Sequence, residues 1–190
     1  LEERRERQAR CNVALDKLRA LYRKHKPDVA IILGKDQKEI FTDMTPSIAL
    51  FSGDVIENGP PQRPVYAPPE HVTYPGCPEL AQHLFASLKD DGFDLTDLMS
   101  WPDNVWTQNR KNVPHAFAFI YHQIMQNEVC PNVPVLINTF YPPTQPSMPR
   151  AIQFGHALLR AIRSWDADKK VAIIASGGLP HYVCDTELDQ

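Results

Sequence analysis

Four short runs of almost uninterrupted apolar character constrain what this chain can fold into. They are "VAIIL" at 29–33, "PSIALFSG" at 46–53, "VPVLINTFY" at 133–141 and "KKVAIIASGG" at 169–178. A strand with one wet face alternates apolar and polar residues, whereas a strand covered on both faces reads as a continuous Val/Ile/Leu/Ala run. These runs are of the second kind, so each is expected to be a buried strand. "FDLTDLM" resembles a further strand or its approach. Helical patterns separate them. Leu15, Leu18, Leu21 and Tyr22 recur at helical spacing within about 2–26. Residues 77–91 carry Pro78 in the first turn and Gly92 at the stop. Residues 114–125 begin at Pro114, and 149–165 begin at Pro149. Strands alternating with helices predict an α/β fold: a single domain, 1–190, with a mainly parallel or mixed central sheet flanked by helices.

Proline sets the character of the connections. The chain has 18 prolines and 8 glycines, with prolines clustered at 60–78 and 131–149. Long ordered loops on a rigid scaffold are expected, and such loops often build binding sites. The segment 54–75 is expected to lack regular structure.

Charge and composition exclude several classes. The net charge is -3, so no basic excess favours nucleic acid or an anionic membrane surface. No apolar run approaches the roughly 20 residues that span a bilayer. The start, "LEERRERQAR", is too charged for a secretory signal peptide. Cys11, Cys77, Cys130 and Cys184 are scattered without a CxxC pair, which favours reduced thiols and a cytoplasmic location.

In open α/β sheets ligands bind beyond the carboxyl ends of the strands. The first run is followed by Asp36, Gln37 and Glu39, the third by Asn138, Tyr141 and Gln145, and the last by His181 and Asp185. His181 follows Gly177 and Gly178, which permit a tight turn, and Pro180, which stiffens it. An imidazole there suits general acid–base work, and a histidine that only caps the turn fits the same spacing. His115 opens a helix, where a neutral ring could hydrogen-bond a substrate oxygen; the plain alternative is a boundary histidine half-packed on the core. His122 and His156 read as structural or surface residues, His71 and His83 have no supporting context, and His25 ends the first helix. Asp36, Gln37 and Glu39 could together hold a hard cation, or form a solvated polar turn. No HxH, HxxxH or HxD pattern, P-loop, GxGxxG or GxSxG is present. Arg110, Lys111 and Arg150 could reach a substrate carboxylate, although loop cations are usually only solvated.

Taken in order, "PDVAIILGKDQKEIF", "PSIALFSG", "GFDLTDLM", "PHAFAFIYHQIM", "VPVLINTFYPPTQP", "FGHALLRAIRSW" and "VAIIASGGLPHYVCDTELD" cover most of the chain. This ordered set resembles the class III extradiol ring-cleavage dioxygenases, the protocatechuate-dioxygenase β-subunit-like superfamily. The resemblance implies non-haem Fe(II), O2 and a catechol- or gallate-type aromatic substrate cleaved next to its hydroxyls. It implies His181 as the acid–base residue of a "GG-x-SH" turn and His115 as a substrate contact; Asn138 and Tyr141 are substrate-binding candidates from their place beyond the third run. It also implies a possible homo-oligomer.

The departures from that pattern are specific. Gln37 stands where the family places a metal-binding histidine in an "xDH" segment, and Pro180 stands where serine is usual. The family's N-terminal metal histidine and its later glutamate have no counterpart in these 190 residues. Two expectations remain open: a core segment of a longer enzyme lacking its N- and C-terminal parts, or a degenerate member that lost iron and serves as a binding or subunit-interaction module. A metal-dependent hydrolase is a weaker third.

Overall fold

The computed structural model describes residues 2–59, 70–105 and 112–177. The four apolar runs form β1 (Val29–Gly34), β2 (Ile48–Phe51), β6 (Asn132–Ile137) and β7 (Val171–Ala175). With β5 (Thr96–Leu98) they make one sheet in the order β5-β2-β6-β1-β7. β1 runs parallel to β6 and β7, and β2 parallel to β5, while β2 and β6 are antiparallel. The sheet is therefore mixed, with its parallel part centred on β1.

Among the described residues four helices flank it: α1 (Glu2–His25), α2 (Pro78–Asp90), α3 (His115–Phe119) and α4 (Met148–Ser164). α3 continues as a π-helical turn, Ile120–Ile124. Side chains alternate between the two faces of each strand, which gives two apolar layers. Ala30 and Ile32 join Ala49, Phe51, Leu136 and the α3 side; Val29 and Ile31 join Leu50, Val133, Val135 and the α2–α4 side. Leu80, Leu84 and Leu88, four residues apart on one face of α2, are completely buried. Removing each from water contributes about 2 kcal/mol.

Three expectations change. The run at β7 was expected to be covered on both faces. Among the described residues β7 lies at an edge of the sheet, and Ile173 is 52% exposed. Leu18 and Leu21 of α1 are likewise about half exposed, whereas Leu15 and Tyr22 pack on the core. The segment 54–75 is not devoid of regular structure: β3 (Val55–Asn58) and β4 (Val72–Pro75) pair antiparallel at its two ends. The prolines crowd between these strands, leaving every ladder position but Pro75 able to donate.

Two local devices fix the ends of these elements. Gly92, at φ 79°, donates its N–H to the Lys89 carbonyl (2.9 Å), and Phe93 N–H donates to the Leu88 carbonyl (2.9 Å). This is a Schellman stop, with Phe93 and Leu88 sharing one apolar cluster. At the other end of the sheet, the fully buried Asn132 joins three elements. Its amide donates to the carbonyls of Pro75 and Cys130 (both 3.1 Å), and its oxygen accepts from the Tyr121 hydroxyl (2.8 Å). Burial holds the Tyr121 phenol well above its usual range, so it remains a donor.

Gly92→Ala forces a Cβ into left-handed backbone and is expected to lower stability by about 1 kcal/mol in urea titration. Tyr121→Phe leaves the buried Asn132 oxygen without its partner and should cost about 1–3 kcal/mol. Asn132→Ala should cost more, and the double variant should fall short of the sum, because both changes remove the same bond.

Candidate active site at the carboxyl edge of the sheet

The loop after β1 is built around one carboxylate. Asp36 Oδ1 accepts the N–H groups of Glu39 (3.0 Å) and Ile40 (3.1 Å), and Oδ2 accepts that of Phe41 (3.1 Å). The chain therefore curls about Asp36, helped by a left-handed residue, Lys38, at φ 61°. Burial pushes the Asp36 carboxyl above the ordinary range, and the N–H groups of Ile40 and Phe41 oppose that rise. Ile40 and Phe41 anchor the loop in the core. The Val105 N–H binds the Glu39 carbonyl (2.8 Å).

The curl turns the Glu39 side chain inward, where it is 1% exposed. A buried carboxylate needs partners to offset its lost hydration. Here one residue supplies two: Glu39 Oε2 accepts the His115 backbone N–H (2.9 Å), and Oε1 lies 2.5 Å from His115 Nδ1. The helix that carries His115 sits tight against β1. A Cβ on Gly34 would stand 2.9 Å from Phe117 Cζ, so glycine is what permits this approach.

His115 faces a groove of about 820 Å³ that runs along β7 between α1 and α3. At the carboxyl end of the sheet the groove is bounded by His115, Lys35, Ser176 and Gly177. Burial lowers the Lys35 ammonium below its usual range. Sequence reading passed over Lys35. Its only signal is its place directly after Gly34, the last residue of β1.

The other candidates fall around this edge with different employment. Asn138 holds its own turn: its amide donates to the Tyr141 carbonyl (2.7 Å) and Thr144 Oγ1 (3.0 Å), and its oxygen accepts from the N–H groups of Phe140 and Tyr141. Tyr141 lines a small separate pocket with Asp36, Lys38 and Asn138, and Lys38 Nζ stands 5.0 Å from its ring centre. Burial, then the charges of Asp36 and Glu39, raise the Tyr141 hydroxyl. Gln37 is half-buried in the same loop. Gln145, His122 and His156 are exposed. His83 Nε2 lies 2.8 Å from the Ala161 carbonyl, His71 lies beside Glu57, and the carbonyl of His25 accepts from Lys170. Arg150 stacks on Phe93 and binds the Gly92 carbonyl, on the α2–α4 side. His181, Asp185, Arg110 and Lys111 lie outside the described residues.

The donor set does not make an iron site by itself. Asp36 is engaged by three backbone N–H groups and Glu39 by His115. Among the described residues no three His, Cys, Asp or Glu side chains come together as metal ligands. Also among them, no helix is long and apolar enough to cross a membrane.

Comparison with known proteins bears on the whole chain. Residues 3–190 match the family described as the catalytic LigB subunit of aromatic ring-opening dioxygenase. A gallate dioxygenase of Pseudomonas putida is 32% identical over 111 residues, which cover 57% of this chain and 29% of that protein. The match thus spans less than a third of that relative. The ordered motifs that resembled the extradiol dioxygenases, from "PDVAIILGKDQ" to "VAIIASGG", are the parts of a recognisable whole: this chain belongs to the family of catalytic LigB subunits of aromatic ring-opening dioxygenases.

Proposed function

We propose that this chain is the core of a non-haem iron(II)-dependent dioxygenase that opens a catechol- or gallate-type aromatic ring with O2. The observation that carries the reading is the family match over nearly the full chain, joined to a histidine held at the carboxyl edge of the sheet and facing a groove. The distant gallate dioxygenase supports a hydroxylated aromatic acid as the substrate class.

In this reading the groove's mouth binds the ring. His115 hydrogen-bonds a ring oxygen, and the partly desolvated Lys35 favours an anionic oxygen or ring carboxylate nearby. His181 accepts a hydroxyl proton and returns it later, the role its "GGLPH" sequence suggests by resemblance. Asn138 shapes the turn that carries Tyr141, and Tyr141 contributes an aromatic wall on the side of the small pocket. Iron, where bound, supplies activation of O2. Gln37 would be one of its ligands, together with side chains outside those described. A homo-oligomer is one assembly that would complete this ligand set.

A second reading rests on one observation. Asp36 and Glu39 are both committed to structural bonds, and Gln37 replaces an expected histidine. A member that kept the fold and the groove but lost the metal would bind an aromatic ligand without cleaving it.

The two readings separate cleanly. The protein as its gene encodes it is expected to bind close to one equivalent of iron(II) and to consume O2 when given gallate or a catechol. Absence of both, with the aromatic still bound in equilibrium titration, establishes the second reading. In the active protein His181→Gln should lower kcat by about 10²–10⁴-fold while iron content is kept. His115→Ala should lower kcat/KM by roughly 10-fold or more. Normal turnover by the His181 variant would remove its acid–base role.

A further inference from the structure

The one Asn–Gly pair in the sequence stands at the end of β3, at Asn58 and Gly59. Lacking a Cβ, Gly59 leaves its backbone nitrogen unhindered for attack on the Asn58 carboxamide carbon. In that reaction the N–Cγ bond forms, the Cγ–Nδ2 bond breaks, and ammonia leaves with the proton of the attacking nitrogen. Water then opens the cyclic imide at either carbonyl, giving aspartate or isoaspartate. No oxidant or reductant takes part.

One side chain holds both partners of this reaction still. Asn58 and Asn112 are each 1% exposed. Asn112 Nδ2 donates to Asn58 Oδ1 (3.1 Å) and to the Gly59 carbonyl (2.6 Å). The Asn58 amide also hydrogen-bonds the Tyr74 hydroxyl, which donates to Asn127 Oδ1 (3.0 Å). To react, the Asn58 carboxamide must rotate onto the Gly59 nitrogen. It cannot do so while both its ends are bonded and its backbone is paired with Val72. The hold is shallow, however. Asn112 makes both bonds through its nitrogen, and its buried Oδ1 has no hydrogen-bond partner among the described residues. A buried oxygen without a partner carries a cost comparable to what a hydrogen bond contributes. Hydration of that oxygen on opening therefore offsets part of the two bonds lost.

We propose that Asn58–Gly59 is a deamidation site gated by Asn112. Held by Asn112, the pair is inert; released, it converts irreversibly to an aspartyl or isoaspartyl residue. Isoaspartate adds a methylene to the main chain at the last pair of the β3–β4 ladder, so a converted chain cannot close there as before. Either product sets a carboxylic acid where Asn112 and Tyr74 now meet a neutral amide. The site thus records how often this corner of the fold has opened. None of these residues lines the groove, and the gate is independent of the ring-opening reading.

Ageing the purified protein in mildly alkaline buffer tests the gate. Cleavage after glutamate isolates residues 58–70, in which Asn58 is the one asparagine, and mass spectrometry reads the change from amide to acid. The folded protein should convert far more slowly than the chain in concentrated urea. Asn112→Ala removes two hydrogen bonds and should speed conversion of the folded protein by roughly tenfold or more. Leu88→Ala, which weakens the other apolar layer, should leave it slow. Equal conversion in the two variants overturns the proposal, because general loosening then accounts for both. Should Asn112→Ala fail to fold, the unmodified protein decides. In a urea series its conversion should set in below the midpoint of global unfolding, since release of Asn112 is a local opening. Conversion that follows the unfolded fraction alone overturns the proposal, and so does a folded protein that converts as fast as the unfolded chain.

Discussion

The rest of the structure depends on β1 being hidden on every side. Ala30, Ile31 and Ile32 have no exposed surface, their two faces belong to different apolar layers, and both edges are hydrogen-bonded, to β6 and to β7. Such a strand offers no freedom to shift, since a one-residue slip would exchange its two faces. Its small residues matter as much as its large ones. Gly34 lets α3 approach, and that approach brings His115 within reach of a carboxylate in the loop that β1 itself emits.

That loop shows how charge can be put inside a protein for a purpose. Two acidic residues three apart, Asp36 and Glu39, take opposite tasks. Asp36 spends its oxygens on the loop's own N–H groups and gives the loop a shape. Glu39, turned inward by that shape, spends its oxygens on His115. The first fixes the second, and the second fixes the ring.

Much of the scaffold was legible in the sequence because apolar runs and helix stops act locally. The four runs became strands, and Gly92 ended α2 as its position implied. What was not legible depended on neighbours. An apolar run does not say whether it lies in the middle of a sheet or at its edge, so Ile173 was placed too deep. The proline count over 54–75 averaged a rich middle with two nearly proline-free ends, and β3 and β4 were lost in the average. Spacing grouped Asp36, Gln37 and Glu39 as a possible cation site; only the curl of the backbone reveals that both carboxylates are already engaged. His115 was singled out by its place at a helix start, but its carboxylate partner stands 76 positions earlier, beyond any local pattern.

The pairing of β1 also has a history during synthesis. Its partners begin at residue 132 on one side and 171 on the other, so Val29 waits for Val171 before its last edge is closed. A chain emerging from the ribosome therefore carries β1 with both edges unpaired until residue 132 and beyond have been made. Closing such distant pairs is slow, because the entropy of the long loop is lost before the contacts form. The charged helix α1, made just before β1, is the nearest element in sequence that could shield it in that interval. Chaperone dependence and a narrow temperature window for soluble expression are natural consequences of this topology.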